Sequence, residues 1–445
     1  MLPFSDGSGR YRSRCGYISC NIHHVRIDLH APRLLTSRLP VAGKRRRLAV
    51  ITGARQTGKT TLAREVYADL PYLNLDAVEL RALVREVRTA RWGEEIGAAV
   101  LDEAQKEPGV FDKVKYAFDG GAIDFTVLLG SSRIMLLDRV RESLAGRAYL
   151  YDLWPLLAAE LAAVDGKGVT PPLLDHLLRD LRGAPALLAD LPAILLGRRA
   201  ETGRAVIEHL ALWGGMPALL PLADQERHEW LASYQQTYLE RDLADLATLT
   251  DLIPFRNLQR LAMLRTGCLV NYADLARDAG LAPTTARRYL EYLRMTYQVV
   301  LLPPYVGNLT SRVVKSPKLY CTDLGLLRHA THQWGPVDGS LFETVVVAEI
   351  VKLVSTAALP ADLFFYRTRS GFEVDLLIES DGVLFGLEIK HRPRVVSRDL
   401  SPLRRLAGSL GDRWAGGAII YTGDRLEALD QATGIWAIPV HRLLA

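Results

Sequence analysis

The sequence predicts an α/β fold: a parallel sheet covered by helices in the first third, a helical middle, and a second α/β unit at the C-terminal end. Three observations carry this expectation. Short apolar runs alternate with helical periodicity through residues 48–129, as strands joined by crossover helices do. Residues 154–298 are rich in leucine and alanine, with few strand signals. Strand-like runs then return at 364–366, 373–378, 383–389 and 418–421.

The 445 residues exceed one ordinary core, and 49% hydrophobic with 24% charged residues is a usual globular balance. The expected divisions are 1–32, a basic and disordered leader; 33–160, the first α/β unit; 161–305, the helical region; and 306–445, the second α/β unit. The net charge of +5 is local: residues 1–47 hold ten Lys/Arg against two Asp/Glu, whereas the remainder holds 45 against 48. Such an arm suits phosphates or an acidic surface, but a disordered leader, or an extension from a start codon chosen too early, accounts for it better. Four scattered cysteines make no disulfide framework. Cys15, Cys20, His23 and His24 are zinc-type ligands without a closed spacing. No apolar run reaches the roughly 18 residues of a membrane span. Charges also break up the N-terminus where a signal peptide needs an apolar core. The expected setting is the cytoplasm, with no membrane partner.

Leu48-Ala49-Val50-Ile51-Thr52 reads as a buried strand, and Gly53-Ala54-Arg55-Gln56-Thr57-Gly58-Lys59-Thr60 follows it directly. Leu62, Val66 and Leu70 then keep helical spacing. Strand, GxxxxGK[ST] and helix in that order describe the phosphate-binding loop, or P-loop. The glycines let backbone amides wrap a triphosphate at a helix N-terminus. Lys59 reaches for the β- and γ-phosphates, the Thr60 hydroxyl for Mg²⁺, and Thr61 follows in the same turn. Downstream, Val100-Leu101-Asp102-Glu103 is a strand ending in two acids. Asp102 suits the Mg²⁺ shell and Glu103 the activation of a water. Another strand ends in Gly130-Ser131-Ser132, either serine being a candidate to touch the γ-phosphate or the water. Arg147 and Arg241 are candidates to neutralise charge in phosphoryl transfer, or else structural ion-pair members. The cofactors expected are ATP and Mg²⁺.

These stretches, with Leu101-Asp102-Glu103-Ala104-Gln105-Lys106, Leu153-Trp154-Pro155-Leu156, Trp213-Gly214-Gly215-Met216-Pro217, Tyr238-Leu239-Glu240-Arg241-Asp242 and Asp323-Leu324-Gly325, resemble one family. It comprises prokaryotic AAA-type ATPases with an uncharacterised ATPase-associated C-terminal domain, and the likeness runs over residues 33–445. The resemblance implies ATP binding and hydrolysis in a P-loop NTPase fold. Leu129 departs from it, standing where the family often has threonine.

Asn271 to Gly280, then Pro283 onward, reads as two short helices around a glycine turn before the strand Val299-Val300-Leu301-Leu302. This resembles a winged helix, whose recognition helix exposes Thr284, Thr285, Arg287 and Arg288; the same fold also serves for packing. Further on, Asp375 sits on one strand and Glu388-Ile389-Lys390 on the next, across a turn at Ser380-Asp381-Gly382. Residues two apart on a strand share a face, so Glu388 and Lys390 point together. With Asp375, and Glu349 or Glu343 from the preceding helix, they resemble the PD-(D/E)xK nuclease core, a Mg²⁺-dependent phosphodiesterase site. A solvated ion-pair face explains the same residues. Three functions follow as alternatives: an ATP-hydrolysing switch acting on DNA or a protein partner, homo-oligomeric or not; an ATP-binding interaction protein; and a nuclease gated by ATP.

Overall fold

The computed structural model describes residues 20–22, 25–27, 32–130, 140, 142–163, 168–246, 252–306, 316–368 and 371–445, with side chains omitted at 20–27, 238–246 and 252. Ahead of the main body, Cys20–Ile22 and Val25–Ile27 pair antiparallel.

The first unit is a five-stranded sheet of β1 (Arg47–Thr52), β2 (Tyr72–Asn74), β3 (Val100–Asp102), β4 (Phe125–Gly130) and β5 (Ala148–Asp152). Its order is β2-β3-β4-β1-β5 and every pairing is parallel. Alternation along β1 divides its side chains between two cores. Leu48 and Val50 join Trp92, Phe111 and Leu128 on one face. Ala49 and Ile51 join Leu62, Tyr67 and Val127 on the other. Both faces are covered, so the strand is apolar throughout rather than alternating. Register sets Thr52 beside Gly130 on one side and Asp152 on the other. All three therefore stand at the edge from which the phosphate loop leaves, and α1 (Lys59–Val66) carries that loop back along the sheet.

The middle is helical: α2 (Arg198–Trp213), α3 (Asp224–Leu246), α4 (Leu252–Leu264), α5 (Tyr272–Ala279) and α6 (Pro283–Met295). The Asn271 side chain caps α5 by accepting from the Ala273 and Asp274 amides. Gly280, at φ +69°, ends it, and Pro283 opens α6. Thr284, Arg287 and Arg288 are exposed there and Thr285 is half-buried. A small antiparallel sheet, ordered β6-β8-β7, follows from β6 (Cys268–Leu269), β7 (Val299–Leu302) and β8 (Lys318–Cys321). Tyr289 and Tyr297 are buried among these elements.

After α7 (Leu324–Thr331) and α8 (Gly339–Ala357) come β9 (Asp362–Arg367), β10 (Glu373–Ser380), β11 (Val383–Lys390), β12 (Trp414–Tyr421), β13 (Glu427–Asp430) and β14 (Ile435–Pro439). Their sheet, β9-β10-β11-β12-β14-β13, is antiparallel through β11 and parallel from β11 to β12 to β14. Asp381 (φ +48°) and Gly382 (φ +77°) make the two-residue β10–β11 turn, where the positive angles match the strand twist. Helix α9 (Ser401–Leu410) buries Leu403 and Leu406 against one face of the sheet. The chain closes with α10 (Val440–Leu444). Among the described residues, no helix is long and apolar enough to cross a membrane.

Candidate functional site

The loop after β1 is shaped by what surrounds it. A Cβ on Gly53 would lie 2.2 Å from the Leu153 carbonyl oxygen, so only glycine fits beside the strand exit. Gln56 (φ +61°) and Gly58 (φ +95°) turn left-handed, curling successive amides into an anion-binding nest. Lys59 is buried, its Nζ donating to the Gly53 and Ala54 carbonyls at 2.9 and 2.7 Å. The Thr57 hydroxyl donates to the Ala54 carbonyl at 2.9 Å. From outside, the Arg33 guanidinium donates to the Thr57 carbonyl at 2.7 Å and the Trp154 carbonyl at 2.5 Å, and its Nε lies 3.0 Å from buried Glu160.

Thr60 donates to Asp102 Oδ2 at 2.6 Å, which joins the two expected Mg²⁺ ligands from α1 and β3. Tyr72 donates to the same oxygen at 2.5 Å, and burial, then Asp102, pushes its hydroxyl up to about 12. Glu103 adopts φ +52°, a costly conformation for a residue with a side chain. Its Oε2 accepts from Gln105 Nε2 at 2.5 Å. Loop, helix and Glu103 form one wall of a cavity of about 880 Å³. Pro217, Ala218, Pro221 and Thr237, from the helical region, form the other. Nest, lysine, Thr60–Asp102 pair and room together fit a nucleoside triphosphate with its cation.

Residues that the sequence reading missed link this cleft to the rest of the molecule. Thr52 donates to Asp152 Oδ1 at 2.9 Å, and the Tyr297 hydroxyl lies 2.5 Å from both Thr52 Oγ1 and Asp152 Oδ1. Tyr297 stands at φ +64° between α6 and β7, its ring edge-on to Trp154 at 4.8 Å. No motif spacing reveals this, because the three residues lie on distant segments.

Arg147 is elsewhere. It grips Asp119 through Nε (2.6 Å) and Nη2 (2.9 Å) just before β5, at the sheet edge opposite the phosphate loop. Ser131 and Ser132 lie outside the described residues, as does the Arg241 side chain.

Of the four residues named for the C-terminal site, the hairpin brings three together. Lys390 Nζ donates to Glu388 Oε2 at 2.6 Å and lies 3.5 Å from Asp375 Oδ2, which also accepts the Ile389 amide at 2.8 Å. Glu388 Oε1 is buried and has no hydrogen-bond partner among the described residues. Burial and then Asp375 push the Glu388 carboxyl up to about 8. Glu349 is not with them: it accepts from the Ala158 amide at 2.7 Å and from Lys352 at 3.0 Å. Six residues on a helix turn the side chain by about 120° net, so Glu343 and Glu349 look different ways. Glu343 accepts from the Tyr320 hydroxyl at 2.6 Å, and burial followed by Asp375 raises its carboxyl too. Among the described residues, no three His, Cys, Asp or Glu are arranged to hold a metal ion.

Residues 45–162 match a family described as an AAA domain. Residues 204–335 and 338–443 match two families described as domains of unknown function, DUF8612 and DUF4143. Uncharacterized proteins of Mycobacterium tuberculosis and Mycobacterium bovis are each 30% identical over 421 residues, covering 92% of this chain and 83% of theirs. Among solved structures, a Walker-type ATPase of Pyrococcus abyssi aligns with a TM-score of 0.43 at 15% identity, over 66% of this chain and 94% of that one. The ORC2 protein of Aeropyrum pernix in its ADP form aligns with a TM-score of 0.27 at 14% identity, over 73% and 93%.

Proposed function

The chain belongs to the family of the two mycobacterial proteins and carries an AAA domain, and on that premise we propose that it is a Mg²⁺-dependent ATPase whose nucleotide state repositions its helical and C-terminal regions. The observation that carries this reading is the cleft with two owners. The phosphate loop forms one wall, and the turn at Pro217 with α3 forms the other. A triphosphate between them touches both, so binding and release change what holds the two regions together. Thr60 and Asp102 are the residues to hold Mg²⁺, which supplies charge neutralisation at the β- and γ-phosphates. Lys59 leaves the loop carbonyls for phosphate oxygens, and Glu103 orients and deprotonates the attacking water. Glu103→Gln should abolish turnover while leaving ATP binding within about twofold. If turnover survives in that variant, the assignment of Glu103 is wrong. If the wild type hydrolyses nothing, the ATP-binding interaction protein replaces the switch.

The C-terminal hairpin supports a second reading, Mg²⁺-dependent phosphodiester cleavage. Among the described residues Glu388 keeps a buried oxygen without a hydrogen-bond partner, and Lys390, bonded to its other oxygen, is the residue to steer a water. Two carboxylates suffice where waters and phosphate complete the shell. Cleavage of DNA that needs Mg²⁺ and disappears in Asp375→Ala and Lys390→Ala supports this reading; cleavage that persists in both sinks it. The exposed Thr284, Arg287 and Arg288 of α6 suit contact with a phosphate backbone or an acidic protein surface.

A further inference from the structure

A second cavity, of about 450 Å³, opens where α2 and α7 meet the C-terminal sheet domain, away from the nucleotide cleft. Its size is ordinary for a small-molecule pocket. Arg328, on its lining, is fully buried. The guanidinium donates from Nε to the Ala211 carbonyl at 2.9 Å, and from Nη1 to the Gln333 and Gly335 carbonyls at 2.8 and 2.9 Å. Nη2 has no partner. The acid whose charge acts on it, Asp338, caps α8 at the Leu341 amide with Oδ1 (2.8 Å). His441, also on the lining, is 3% exposed, and among the described residues its Nε2 likewise has no hydrogen-bond partner. Burial, followed by the Arg204 charge, lowers the His441 pKa, so its ring is neutral and can donate without adding charge. The rest of the lining is mixed: Arg204, Glu208 and Thr422 are polar, while Ile207, Val337 and Phe342, whose ring lies 4.9 Å from His391, are apolar.

A buried cation with a free donor is costly unless an anion meets it. One guanidinium N–H₂ and one neutral imidazole supply donors for a single carboxylate; Arg204 on the same lining is already paired with Asp424 at 2.9 Å, and the Glu208 carboxylate disfavours a doubly charged phosphate. We propose that this seam is a binding site for a small carboxylic acid with an apolar body, its carboxylate between Arg328 and His441 and its body against Phe342. The ligand would join α7, which Arg328 holds to the Ala211 carbonyl of α2, to α10, which carries His441. The proposal is independent of nucleotide chemistry.

Calorimetric titration of the full chain with phenylbutyrate and with phenylbutanol, its neutral alcohol analogue, tests it. The carboxylate should bind one site per chain, and the alcohol at least tenfold more weakly. Arg328→Gln should erase that preference. Because Arg328 also secures three carbonyls, a second variant guards against misfolding. Val337→Trp, at a half-buried wall position, should fill the cavity and abolish binding of both compounds. Equal affinity for acid and alcohol overturns the proposal. So does unchanged binding in Val337→Trp, or no heat from either compound at millimolar concentration.

Discussion

Gly53 decides whether the phosphate loop can form. Adding one methyl group sets a carbon 2.2 Å from the Leu153 carbonyl, which is itself fixed because the Leu153 amide donates to Thr52 at 2.7 Å. Gly53→Ala should weaken ATP binding at least tenfold, measured by fluorescent-nucleotide titration, while the fold, followed by circular dichroism, persists. At Glu388 the prediction concerns pH. Its folded pKa is raised to about 8, so the folded state keeps a proton that the unfolded chain releases near the ordinary carboxylate value. The stabilising contribution is complete below that ordinary value and is lost as pH rises through about 8. Denaturant midpoints should therefore fall between about pH 5 and pH 8, with a slope of at most about 1.4 kcal/mol per unit from this group. Glu388→Gln should flatten that trend; an unaltered slope would show that the proton resides elsewhere. Much of this was legible residue by residue. Period-two alternation and a two-residue turn specify that Asp375, Glu388 and Lys390 meet. Helix phase, by contrast, needs a known core face, and without one the sequence points to Glu349, whereas Glu343 is the glutamate whose carboxyl feels Asp375.

Between elements, the informative contacts are those with no sequence signature. The strands and the loop of the first unit could be read because each is a local pattern: an apolar run, a glycine turn, a helical repeat. Tyr297 could not, since its meaning lies in Thr52 and Asp152, which the fold delivers from two neighbouring strands. Its hydroxyl ties the tip of β1, one residue before the phosphate loop, to the junction of α6 and β7. Tyr297→Phe keeps the edge contact with Trp154 and removes only the hydroxyl. It should lower stability by about 1–3 kcal/mol, since buried polar partners lose a hydrogen bond. If this tie transmits nucleotide state, hydrogen exchange across residues 283–302 should slow on adding a non-hydrolysable ATP analogue in the wild type and not in the variant. Equal slowing in both proteins would mean that the signal travels through the Pro217 turn instead. Two motifs of the sequence also find their physical reason here. A Cβ on Gly325 would stand 2.0 Å from the Trp213 carbonyl oxygen, and one on Gly214 would stand 2.1 Å from Asp323 Oδ1. The Trp-Gly-Gly and Asp-Leu-Gly stretches are therefore two halves of one contact, locked by the Gly215 amide donating to buried Asp323 at 2.8 Å.

At the scale of the whole molecule the placement of Arg147 bears on how charge on a γ-phosphate would be neutralised. Arg147 precedes β5, whose first residue pairs with Leu48 near the start of β1. The phosphate loop leaves from the far end of β1, so roughly 15 Å of strand separates the two. A side chain clasped to Asp119 at that distance cannot serve its own chain's nucleotide. It can serve another copy's, if copies assemble with one chain's β5 edge beside the next chain's cleft, a heterologous contact of the kind that closes rings. Mixing experiments separate the two arrangements. Lys59→Ala chains have no working loop but an intact arginine; Arg147→Ala chains have the reverse. Each alone should be inactive. In an equal mixture, random assembly places an intact loop beside an intact arginine at about a quarter of contacts, so turnover should recover to about a quarter of the wild-type rate. Wild-type activity per chain should also fall on dilution, as assemblies dissociate. Full activity in Arg147→Ala alone, or a wild-type rate per chain that does not change with concentration, would make Arg147 a structural partner of Asp119 and the chain a self-sufficient ATPase.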